Sequence, residues 1–144
     1  MKKEKTTFNY EDIVIRRFNA YKEFLIENGV KEELIELPAI KDIILDTIRN
    51  GDPRVIFEGR SPIHYQDPKE DGTFNICGRL DGPTVSTIYE MELIDQDDIY
   101  LKLTKKDVRH HLYEEDRDLD EIFYINHDGY FINKKKSKYK MLTK

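Results

Sequence analysis

Glu90 and Glu92 stand two residues apart in the run 89–93, Tyr-Glu-Met-Glu-Leu. In a strand that spacing sends both carboxylates from one face, about 7 Å apart, and leaves Tyr89, Met91 and Leu93 on the other face as core side chains. Asp81 lies nine residues before Glu90, near the end of the preceding predicted strand. Three such carboxylates are hard oxygen donors suited to Mg²⁺ or Mn²⁺. An ion held there would activate water and offset charge on a phosphodiester. The same alternation is also what the solvated face of an antiparallel sheet carries with no chemistry attached. On spacing alone both readings stand.

The segment Gly-Arg-Leu-Asp-Gly at 78–82, followed by Tyr-Glu-Met-Glu-Leu at 89–93, sits in a helix–strand–strand–strand–helix–strand order. This combination resembles the core of the PD-(D/E)xK nucleases, phage-type recombination exonucleases among them, from Arg54 to about Glu115. The resemblance implies a metal-dependent nuclease or a degenerate relative, with Asp81 and Glu90 as ligands of Mg²⁺ or Mn²⁺. Where that family has a lysine, this chain has Glu92. A lysine would orient the attacking water and stabilise negative charge. A glutamate serves as a base or a ligand but cannot stabilise that charge.

Histidines supply a second set of donors. His110 precedes Glu114 by one helical turn, and His111 precedes Glu115 likewise. Such i,i+4 pairs share a helix face and suit zinc, although the same spacing forms ordinary helix-surface contacts. Adjacent histidines point about 100° apart on a helix. A further ligand would therefore come from His64, His127 or Asp128. Cys77 has only Arg79 nearby to favour a thiolate, and it reads as a buried, inert thiol. No glycine-rich loop matches a nucleotide-cradling motif.

Charge carries more information than these motifs. Residues 90–121 hold 12 acids against five bases, a balance of −7 where the whole chain carries −5. Glu114, Glu115, Asp116, Asp118, Asp120 and Glu121 make a nearly continuous anionic block at the end of a predicted helix. The helix dipole prefers cations at that position. The block reads either as a solubilising face or as a docking surface for a protein with a basic surface, including one that itself binds nucleic acid. Residues 134–144 carry six lysines and no acid, which gives only salt-sensitive, unspecific attachment to nucleic acid.

These groups need a scaffold. Tyr10, Val14, Phe18, Tyr21 and Leu25 step by four, four, three and four, so they share one helix face. Asn9 caps that helix and Gly29 ends it. Leu37, Ile40, Ile44 and Ile48 predict a second helix stopping at Gly51, with Pro38 separating a short leading turn from the main body. From residue 54 the period becomes two, over 54–58, 74–80, 85–94 and 99–103, with 95–98 as a hairpin loop. Residues 61–72 form a loop whose core candidates are Ile63 and Tyr65. Thr104, with Asp107 three residues on, predicts the start of a third, short helix carrying Val108 and Leu112. Residues 121–126 and 130–133 flank the turn His127-Asp128-Gly129 as a C-terminal hairpin. The expected architecture is α+β: two N-terminal helices packed on a mainly antiparallel sheet of four to six strands, with the third helix and the hairpin after it.

The 144 residues make one domain, 1–144, with polar, charged termini at 1–8 and 134–144. Charged residues are 37% of the chain, but 17 Ile, 11 Leu, 9 Tyr and 7 Phe exclude disorder. One cysteine excludes an internal disulfide and a multi-thiolate zinc site. With no apolar run long enough to span a bilayer and no leader pattern, the expectation is a soluble, cytoplasmic protein without a membrane partner. The Ile and Lys bias, beside two alanines, fits an AT-rich genome, and so a phage or mobile element in a low-GC host. The leading functional expectation is a small non-enzymatic protein-binding module of accessory, inhibitor or immunity type, without a cofactor. Alternatives are the metal-dependent nuclease and a structural subunit of a larger assembly such as a virion, with a second copy of the chain as a further partner.

Overall fold

A computed structural model describes residues 9–51, 62–79, 85–107 and 120–132. Helix α1 runs Tyr10–Glu27, and its buried side chains include Val14, Phe18, Tyr21 and Leu25, the face that the periodicity predicts. Asn9 Oδ1 accepts the Glu11 N–H at 3.0 Å, satisfying one of the orphan donors of the first turn. The chain leaves the helix at Gly29, where φ is +109°. Helix α2 is a single turn, Glu32–Ile35, and α3 runs Pro38–Arg49 with proline in its first turn. That placement costs nothing, because an N–H there has no intrahelical partner.

The two long helices lie antiparallel. At one end Tyr10 Oη donates to the Arg49 carbonyl at 2.9 Å, and the Arg49 guanidinium forks onto Glu11 at 2.9 and 3.1 Å. Further along, Lys41 Nζ lies 5.4 Å from the Phe18 ring centroid. Lys22 bridges from α1 to Glu36, and to Glu32 at 2.9 Å.

Five strands follow: β1 Ile63–His64, β2 Ile76–Arg79, β3 Val85–Gln96, β4 Ile99–Asp107 and β5 Glu121–Ile125. They pair in chain order, all antiparallel, as one open sheet. Facing residues share a side of the sheet. One side therefore holds the rows Ile76–Tyr89–Lys105–Glu121, Met91–Leu103–Phe123 and Leu93–Leu101–Ile125. Ile76, Met91, Leu101, Leu103 and Ile125 of these rows are fully buried, in one core with Phe18, Tyr21, Leu25, Ile40, Ile44 and Ile48 of the helices. The helices thus cover this side. Gly78 lies on the same side, and a Cβ there would sit 2.8 Å from Thr47 Cγ2. Its missing side chain is what lets α3 settle onto β2.

The sequence-based expectation of α+β, with N-terminal helices on an antiparallel sheet, is met. Three elements differ. Ile63–His64, expected within a loop, pairs as β1. Of the expected strand 130–133, Phe131 alone among the described residues bridges, to Ile125. Thr104–Asp107 does not open a helix; it continues β4, with Thr104 opposite Glu90 and Lys106 opposite Ile88. The capping pattern loses because β3 is long enough to offer these residues a strand ladder. The remainder of that predicted helix, the predicted strand at 54–58 and the lysine segment 134–144 lie outside the described residues. The expected hairpin loop at 95–98 narrows to a turn at Asp97 and Asp98, with a register shift between Leu93 and Gln96. After β5 the chain reverses: Asn126 Oδ1 accepts the N–H groups of Asp128 and Tyr130, each at 3.0 Å, and Ile125 bridges Phe131.

Candidate functional site

Glu90 and Glu92 do leave the same face of β3, the one turned away from the helices. Their neighbours there are basic and polar. Lys106 Nζ lies 2.9 Å from Glu90 Oε1, Thr104 is opposite Glu90, and Lys102 is opposite Glu92. Asp81 lies outside the described residues. Among the described residues no three His, Cys, Asp or Glu side chains gather as a metal site.

The other sequence candidates separate in space. His110, His111, Glu114, Glu115, Asp116 and Asp118 are outside the described residues. Glu121 is exposed and pairs with Lys105 at 3.7 Å, and Lys105 also sits 5.7 Å from the Tyr89 ring centroid. Asp120 is half-buried. His127 Nε2 meets Asp95 Oδ1 at 2.8 Å, and its ring lies 5.3 Å from that of Tyr100. This contact ties the β5 turn to the β3–β4 hairpin. Cys77 is enclosed on β2, and burial, aided by the Glu90 charge, pushes its thiol up to about 11.

A groove forms where the helical layer stops short of the sheet. It has a volume of about 540 Å³ and is lined by Lys31, Glu33 and Leu34 of the α2 region, by Leu93 and Tyr100, and by the 70–73 turn. That turn is braced from within. Lys69 and Thr73 join through the Lys69 N–H and the Thr73 carbonyl at 2.8 Å, and Gly72 donates to the Lys69 carbonyl at 3.0 Å. Asp71 Oδ1 accepts both the N–H and the hydroxyl of Thr73, at 2.9 and 2.6 Å. The hydroxyl bond is the main reason that the Asp71 carboxyl sits below its ordinary range. Lys69 Nζ donates to the Met91 carbonyl, beyond the point where β2 stops pairing with β3.

Past Leu93 and Tyr100 the hairpin ends in three exposed acids, Asp95, Asp97 and Asp98. Asp95 is engaged by His127. Asp97 and Asp98 form no ion pair with a described residue. Comparison with family models, with curated proteins and with solved structures finds no match to this chain.

The groove was not legible from spacing, because its lining comes from three distant stretches of chain. One local signal existed. Asp-Gly-Thr at 71–73 is a turn sequence in which an aspartate bonds its own backbone two residues on. It marks a rigid loop but not what the loop overhangs.

Proposed function

We propose that the chain is a non-enzymatic protein-binding module, of accessory, inhibitor or immunity type, that docks through acidic surface onto a protein with a basic surface. Its partner is then a protein whose cationic face ordinarily receives nucleic acid or another polyanion. The observation that carries this reading is the β3–β4 hairpin tip, where Asp97 and Asp98 stand exposed without a cationic neighbour among the described residues. Unpaired charges of one sign at a projecting tip raise encounter rates with an oppositely charged face and repel wrong partners. The acids at 114–121 extend the same sign along the chain.

Affinity purification from the source cell, read by mass spectrometry, identifies the partner. Reversal of Glu114, Glu115, Asp118 and Asp120 to lysine, combined with Asp97→Lys and Asp98→Lys, then abolishes capture at physiological salt while thermal unfolding stays nearly unchanged. Capture that survives this reversal would refute the reading.

A second reading, a metal-dependent nuclease of PD-(D/E)xK type, is favoured by one observation. Lys106 brings an ammonium to Glu90 from the neighbouring strand, the charge that position 92 lacks. Glu90 and Asp81 would hold Mg²⁺ or Mn²⁺, and Lys106 would stabilise developing negative charge. Purified protein incubated with linear and single-stranded DNA in Mn²⁺ tests it. Cleavage lost in Glu90→Gln supports it, and absence of both cleavage and Mn²⁺-dependent stabilisation removes it.

A further inference from the structure

The groove has an apolar floor and an acidic rim. Leu93 is 40% exposed, whereas Met91 and Leu101, beside it on the same side of the sheet, are 0% exposed. The difference is one of coverage: α2 is a single turn, and the helical layer leaves this corner of the sheet open. Leu34 and Tyr100 also line the groove. Among the lining residues Glu33, Glu70 and Asp71 outnumber the one cation, Lys31, while nearby Lys69, whose charge acts on Asp71, is held by the Met91 carbonyl. Glu33 and Glu70 form no ion pair with a described residue, and the acidic hairpin tip lies in the chain between the lining residues Leu93 and Tyr100.

We infer that this groove seats a basic segment of the partner protein, with one bulky aliphatic or aromatic side chain on Leu93 and Tyr100. Lysine or arginine residues flanking that side chain meet Glu33, Glu70 and the hairpin tip. This inference rests on the docking reading above and assigns it a place and a chemistry. An apolar anchor in a pocket with charge complementarity around it is how small interfaces concentrate their binding energy. A polyanion is disfavoured here by the same rim.

Three fluorescein-labelled peptides test the inference by polarisation: one alternating arginine and leucine, one with the leucines replaced by serine, and one with the arginines replaced by glutamate. The first binds saturably and the other two do not. Leu93→Ser and Glu70→Lys, both at exposed positions, each weaken the first peptide by about tenfold. Amide shifts on binding concentrate at residues 29–34, 70–73, 93 and 100. Unchanged affinity in both variants, or shifts gathered elsewhere, overturns the inference. Tighter binding by a peptide of the chain's own residues 134–144 overturns it too, because the groove would then belong to the chain itself. Against the identified partner, loss of capture in the six-site reversal with full capture in Leu93→Ser and Glu70→Lys leaves docking intact and removes the groove from it. Capture indifferent to both sets removes both.

Discussion

The backbone of Gly129 caps helix α3: its carbonyl accepts the Ala39 N–H at 2.8 Å. Leu37 at the N-cap offers no side-chain acceptor, so the β5 turn supplies what a serine or aspartate would supply elsewhere. A Cβ at Gly129 would lie 2.6 Å from Pro38 Cδ and 2.9 Å from Leu37 Cδ2, and φ there is +93°. Gly129→Ala therefore combines backbone strain with steric overlap and costs about 2–4 kcal/mol. Chemical denaturation measures this as a lower midpoint at unchanged slope, and Asp128→Ala, on the exposed side of the same turn, shows far less.

The approach of α3 to β2 gives a second test. Gly78→Ala drives a methyl against Thr47 Cγ2 and destabilises by about 1–3 kcal/mol. Thr47→Ser removes that methyl while keeping the hydroxyl that donates to the Ile43 carbonyl at 2.7 Å. The double variant recovers at least half of the loss, a coupling that a double-mutant cycle reads directly. Additive losses would show that Gly78 matters for another reason.

Glu36 is one source of acid sensitivity, beside Glu11 and Asp71. Hydrogen bonds from Lys22, and then from Lys41, hold its carboxyl below the ordinary value near 4.5. A depressed carboxylate contributes stability that is complete above its unfolded pKa and is lost as pH falls through the folded one. Lys22 is shifted upward, chiefly by its bond to Glu36, so its share is present below 10.5 and fades as pH rises beyond that. Glu36→Gln removes the first and only weakens the second, because Lys22 keeps its bridge to Glu32 at 2.9 Å. The variant's Tm falls by a few degrees at pH 7, and the gap to wild type closes as pH falls below the ordinary value of 4.5 and through the lowered folded one. Parallel curves over that range would count against the assignment.

Cys77 makes a prediction about reactivity. With its thiol near 11, the native protein at pH 8 holds about a thousandth of its cysteine as thiolate, against roughly a quarter in an unfolded chain. Enclosure within the sheet slows attack further. Iodoacetamide labelling at pH 8 is therefore at least about a hundredfold slower in the native state than in denaturant. Rapid native labelling would mean that the thiol is accessible.

The helices were legible because their information is local. The apolar stepping of Tyr10 to Leu25, Asn9 at its head and Pro38 at the start of α3 act within a turn or two of themselves, and period alone separates them from the strands. The face shared by Glu90 and Glu92 was legible for the same reason. Thr104–Asp107 was not, because a capping pattern is only a weak local preference, and pairing with Thr87–Glu90 of β3 decided the outcome. Pairing of Glu90 with Lys106, capping of α3 by Gly129 and the groove over Leu93 and Tyr100 likewise join stretches of chain that have no relation in sequence. Register and helix placement bring them together, and both are set by burial summed over the whole core rather than by any one segment.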